Sequence, residues 1–162
     1  MKKIRREGDL VIKIGKEFTV DWESKLTKVL TVINIPAFVK FIPNGYVTKF
    51  IDGVDLQSDK PFKWRHGVLN SDYKLNEIQR QKVIKIFKDI ALAGIKTNYT
   101  LADFTKRNII IKGNELYLID YDVIIEGKLP QDYINLFQKM LDYLKINYKF
   151  DCDLKKLYEC FS

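Results

Sequence analysis

Two short apolar runs, NIII at 108–111 and LYLI at 116–119, flank a Gly113-Asn114 pair. Such a pair supplies the positive φ that a two-residue hairpin turn requires, so residues 108–120 read as a tight antiparallel hairpin. The turn also sets the register, with Asn108 facing Ile119 and Arg107 facing Asp120. Asn108 and Asp120 therefore meet at the open end. Asp103, five residues before Asn108, belongs to the loop entering that end. Three oxygen-bearing side chains thus converge where a hard cation such as Mg²⁺ could be held together with phosphate oxygens. Taken singly, Asp103 and Asn108 also suit ordinary loop and capping roles, and Asp120 the end of a strand.

The rest of the chain reads as strands first and helices later. KKIRRE, a Gly8-Asp9 turn and LVIKIG form a hairpin with Lys13 in its second strand. Trp22, Leu26, Val29, Leu30 and Ile33 recur at helical spacing, with Thr19 or Asp21 as N-cap, which predicts an amphipathic helix over 21–34 that Pro36 ends. AFVKFI and GYVTKFI predict a second hairpin around Pro43-Asn44-Gly45. The polar stretch DGVDLQSDKPFKWRHG is the natural boundary between two small lobes. Ile78, Val83, Ile86, Phe87, Ile90 and Ala91 share one face of a helix over 76–93, and two more helices are expected near 131–147 and 153–161. The fold class is α+β.

Composition narrows the function. A chain of 162 residues, 46% hydrophobic and 13% aromatic, can bury one sizeable core but not two independent ones. Cys152 and Cys160 lie on one expected helix, where a disulfide is unfavourable, so free thiols in a reducing compartment are expected. No apolar run has the length of a membrane span and MKKIRREGDL is not a secretion signal, which points to a cytoplasmic protein. The net charge of +7 favours an anionic partner, a nucleotide or a phosphorylated sugar or lipid, although its scatter along the chain equally suits a solvated lysine-rich surface. Nucleic acid binding has no motif behind it. The lone His66, near Trp64, excludes a histidine-rich metal site, and no nucleophile elbow, Cys-x-x-Cys pair or Walker loop is present.

The run Asp103-Phe104-Thr105-Lys106-Arg107-Asn108, then NIII and LYLI, then Asp120-Tyr121-Asp122, resembles the catalytic core of the protein-kinase-like fold. There an Asp-x-x-x-x-Asn loop leads into a hairpin ending in a metal-binding Asp and an aromatic residue. The aromatic-Asp ending is like that of the aminoglycoside and other small-molecule kinases. Upstream, Val11-Ile12-Lys13 looks like the strand of the phosphate-binding lysine, Glu23 like its helix partner, and VTKFIDGVDL like the hinge between lobes. The resemblance implies a minimal two-lobed domain, with a small lobe over 1–52 and a reduced helical lobe over 53–162. It implies ATP and Mg²⁺ as cofactors. Asp103 would be the catalytic base, Asn108 and Asp120 the metal ligands, and Lys13, steadied by Glu23, the phosphate contact. Lys49 C=O and Ile51 N–H would meet adenine, with Thr48 behind it. Without the resemblance, Lys13 also reads as a solvent-facing strand lysine, Glu23 as a residue favoured by the helix dipole, and the hinge as an edge strand.

The departures are equally definite. A dozen residues precede Lys13, enough for one hairpin arm but not for a glycine-rich loop over the phosphates. Lys3, Arg5 and Arg6 could cover them by charge instead, with Lys3 and Arg5 on one face of the first strand and Arg6 on the other. Leu101 stands where the family usually has His. What remains is most similar to small atypical kinases, the RIO and KEOPS-complex kinases or the lipopolysaccharide-core heptose kinases. Two functions follow: a kinase acting on a hydroxyl of a protein or sugar, or a pseudokinase that binds and regulates without catalysis.

Overall fold

A computed structural model describes residues 2–55, 75–102 and 108–148. Asp103, His66, both cysteines, most of the proposed lobe boundary and the expected helix 153–161 lie outside the described residues. Within them the chain is α+β, with antiparallel strands and three helices.

The first sheet has four strands in the order β1-β2-β4-β3. β1 (Lys3–Glu7) and β2 (Leu10–Ile14) close on Gly8-Asp9, where Gly8 takes φ 58°; β3 (Phe38–Ile42) and β4 (Gly45–Lys49) close on Pro43-Asn44, where Asn44 takes φ 57°. Between the hairpins runs α1 (Val20–Leu30), started by Thr19, whose Oγ1 accepts the Trp22 N–H at 3.1 Å. It buries Trp22, Leu26 and Val29. The helix stops at Leu30, not at residue 34, because Thr31 folds back on the Lys28 carbonyl through both its N–H (3.2 Å) and its hydroxyl (2.6 Å). Ile33 and Ile35 still reach the core from the irregular segment that follows.

A second sheet joins β5 (Val54–Asp55), β7 (Ile109–Lys112) and β8 (Glu115–Leu118) in the order β5-β7-β8, while β6 (Tyr99–Leu101) pairs with β9 (Ile124–Glu126). The β7–β8 register is the one the Gly113-Asn114 turn predicts: Lys112 opposes Glu115 and Ile109 opposes Leu118. α2 (Glu77–Thr97) opens with a reciprocal Asn76–Gln79 cap and α3 (Pro130–Tyr143) packs beside it. Val83, Phe87, Ile90 and Ala91 are buried as expected, but Ile78 is 53% exposed. The buried stripe passes instead through Gln79, whose side-chain amide donates to the Gly113 carbonyl at 2.8 Å and ties the helix to the hairpin turn. One buried cluster runs from Phe18 and Trp22 through Phe87 to Phe137 and Leu141, so the first sheet and the helices share a core. None of the described helices is long and apolar enough to cross a membrane.

At Gly94, α2 meets α3 with no room for a side chain. A Cβ there would lie 2.5 Å from the ring of Tyr133, a buried residue whose hydroxyl donates to the Asn98 carbonyl at 3.0 Å. The ring is held at both ends and cannot yield. Gly94→Val is therefore expected to destabilise the fold by about 2 kcal/mol through overpacking, despite a small gain in helix propensity. The urea unfolding midpoint measures this; an unchanged midpoint would contradict the packing described.

Candidate functional site

β2 alternates, with Val11 and Lys13 turned inward and Leu10 and Ile14 outward. An inward lysine is costly unless its charge is matched. Lys13 is 2% exposed, and its Nζ lies 3.6 Å from Asp120 Oδ1 and 3.5 Å from Asp122 Oδ1. Tyr46, fully buried on β4, lies beside it, with the ring centroid 5.4 Å from Nζ. Its hydroxyl donates to Asp122 Oδ1 at 2.5 Å. Gly45 permits this convergence, because a Cβ at that position would fall 1.9 Å from the Lys13 carbonyl oxygen. The other Asp122 oxygen pairs with Lys2.

These contacts set the charge states. Burial pushes the Asp122 carboxyl up, but the Lys13 charge, together with the hydrogen bonds from Lys2 and Tyr46, outweighs it and holds the group below its ordinary value. Burial, reinforced by Asp122 and Asp120, pushes the Tyr46 hydroxyl well above its ordinary value, so it remains a donor.

The segment after β8 is clamped by its aromatic residue. Tyr121 is fully buried, its ring 5.4 Å from that of Tyr46 and 6.1 Å from that of Phe38. Its carbonyl accepts the indole N–H of Trp22 at 3.2 Å. With Tyr121 in the core, its neighbours Asp120 and Asp122 both reach Lys13. Asn108 is buried just before β7, and its carbonyl accepts the Ile119 N–H at 3.1 Å, so it stands across from the residue preceding Asp120. Ala102, the last described residue before Asp103, donates its N–H to the Val123 carbonyl at 2.9 Å, next to Asp122.

Between the first sheet and the hairpin lies a crevice lined by Val11, Lys13, Thr48, Ile51, Ile110 and Ile119, with Lys49 and Phe50 at its side. The expected hinge residues Thr48, Lys49 and Ile51 are thus brought together with Lys13. The free space is about 10 Å³, room for about one water, so a purine ring enters only if sheet and hairpin separate. Lys49 N–H is spent on the Ala37 carbonyl and Phe50 N–H on that of Asp9, each at 2.7 Å, whereas the Ile51 N–H makes no bond to a described backbone carbonyl.

Two expectations change. Glu23 is exposed and does not pair with Lys13; among the described residues, Asp120 and Asp122 take that place. Trp22 occupies the inward position of that turn, which rotates Glu23 to solvent. On β1, Ile4 opposes Lys13 and Arg6 opposes Val11, so the inward face carries Lys2, Ile4 and Arg6. Lys3 and Arg5 face outward, with Arg5 paired to Glu7 at 3.1 Å, while Arg6 stacks 3.5 Å over the Phe50 ring. Ile4, the one apolar residue in KKIRRE, marks the inward phase.

Among the described residues, no three His, Cys, Asp or Glu side chains gather as a metal cage. Asp120 and Asn108 offer a carboxylate and an amide oxygen. That donor set fits Mg²⁺, which takes one or two protein oxygens and completes its shell with phosphates and water. No family profile and no curated protein matches this chain.

Proposed function

We propose that this chain is a minimal kinase-like phosphotransferase that moves the γ-phosphoryl group of ATP to a hydroxyl of a protein Ser/Thr or of a sugar. In this reading residues 1–52 act as the small lobe and 53–162 as a reduced second lobe. The observation carrying it is that Lys13 both lines the crevice with Thr48, Lys49 and Ile51 and pairs with Asp120 at the hairpin end. A buried lysine beside such a carboxylate is the arrangement that phosphoryl transfer needs, since the rate comes from alignment and charge neutralisation.

Lys13 contacts the α- and β-phosphates as a point charge. The Ile51 amide and Lys49 carbonyl meet adenine, with Thr48 behind. Asp120 and Asn108 would hold Mg²⁺, which when bound neutralises phosphate charge. Asp103, from the sequence motif, orients the acceptor hydroxyl and takes its proton as the oxygen attacks the γ-phosphorus; the bond to the bridging oxygen breaks and ADP leaves. The net charge of +7 suits an acceptor that is itself anionic.

The narrow crevice favours a second reading, a pseudokinase that regulates through the same scaffold. A thermal-shift series with ATP, Mg²⁺ and both separates the two. A kinase is expected to gain about 5–10 °C with ATP and Mg²⁺ together at nucleotide a hundredfold above Kd, and much less with either alone. No shift at millimolar nucleotide would overturn the kinase reading.

A further inference from the structure

We infer that Asp122, and not the helix residue Glu23, is the positioning residue for Lys13, and that it recruits Lys2 from the N-terminal arm as a second phosphate-facing cation. The inference deepens the kinase reading and rests on it for the role of Lys2.

Asp122 divides its two oxygens. Oδ1 is shared by Lys13 Nζ at 3.5 Å and the Tyr46 hydroxyl at 2.5 Å, and Oδ2 pairs with Lys2. Tyr46 fixes the carboxylate from beneath, being itself wedged between Phe18 (5.3 Å) and Trp22 (5.5 Å). Its partners are thus three protein donors. Asp120 is the more exposed of the two carboxylates, 18% against 9%, and the better placed to meet a metal with phosphates. Glu23 cannot compete for Lys13, because α1 is oriented by the Trp22 indole bonding Tyr121. Lys2 is 37% exposed, so it borders both solvent and the carboxylate pair, where the kinase reading puts the phosphates. On triphosphate binding, Lys2 exchanges Asp122 for phosphate oxygen without leaving the site.

Two measurements decide it. The first is amine-directed labelling of nucleotide-free protein, read at Lys13 by mass spectrometry. Asp122→Asn, and the volume-conserving Tyr46→Phe, are expected to raise Lys13 labelling several-fold, with Glu23→Gln unchanged. Equal rises in Glu23→Gln and Asp122→Asn, or none in either, would overturn the positioning role. The second is ATP affinity with Mg²⁺ and in EDTA. Lys2→Gln is expected to weaken ATP about tenfold in both conditions, an effect that shrinks as salt rises, with Lys3→Gln as the unaffected control. Equal affinities in these two variants would overturn the role of Lys2 while leaving the kinase reading intact. Wild-type protein that binds no ATP would overturn both, and the labelling would still decide Asp122.

Discussion

Asp120→Asn is expected to abolish metal-dependent nucleotide binding, whereas Asp103→Asn is expected to leave binding nearly intact and lower turnover about a thousandfold. The asymmetry follows from when each group acts. Asp120 would serve the ground state and the transition state alike, so its loss appears first in affinity. Asp103 would act only as the hydroxyl attacks, so its loss appears in kcat. Asp120 has a second duty, because it lies 3.6 Å from Lys13 Nζ. Its replacement therefore loosens the lysine as well, and residual ATP binding should be weak even without metal. Calorimetry of ATP with and without Mg²⁺, alongside single-turnover assays, resolves the two effects. Equal loss of binding in both variants, or full activity in either, would refute the assigned roles.

Much of this arrangement was legible from the residues, and the reasons differ by element. The β7–β8 register could be read in full because Gly113, at φ 61°, leaves a two-residue turn one register, and a strand's period of two does the rest. The start of α1 was legible through Thr19, a local signal; its end was not, because Thr31 turns back on Lys28 three residues before the expected stop. Gln79 has no place among the expected face residues, because a polar side chain carries no inward mark until its partner, the Gly113 carbonyl, is known. The same limit explains Glu23. Helical spacing gives which residues share a face, but the rotation of α1 is set by a hydrogen bond from Trp22 to Tyr121, a contact between segments far apart in sequence. Lys13 and Asp120 were brought together by motif order alone. Tyr46, which completes the site, looked like any aromatic residue of a strand, and only its hydroxyl's contact with Asp122 reveals its part.

Lys13→Met is expected to destabilise the fold by about 3 kcal/mol, and adding Asp122→Asn to it should recover most of that loss. Methionine retains the length and apolar stem of lysine, so packing beside Tyr46 changes little. What disappears is the cation between two carboxylates, one of them only 9% exposed. Two like charges then face each other at a partly buried position, with the Lys13 charge that lay between them gone. Lys2 still balances one Asp122 oxygen, which places the expected cost at the lower end of the range for a broken buried pair. Neutralising Asp122 in the double variant removes the repulsion and leaves an amide that still accepts from Tyr46. The coupling between the two substitutions is therefore expected to be large and favourable, read as the difference between urea midpoints of the single and double variants. Additive losses would mean that Lys13 and Asp122 do not sense each other's charge. The site would then owe its arrangement to the aromatic packing around Tyr46 and Tyr121, and the electrostatic account of Lys13 would fail with it.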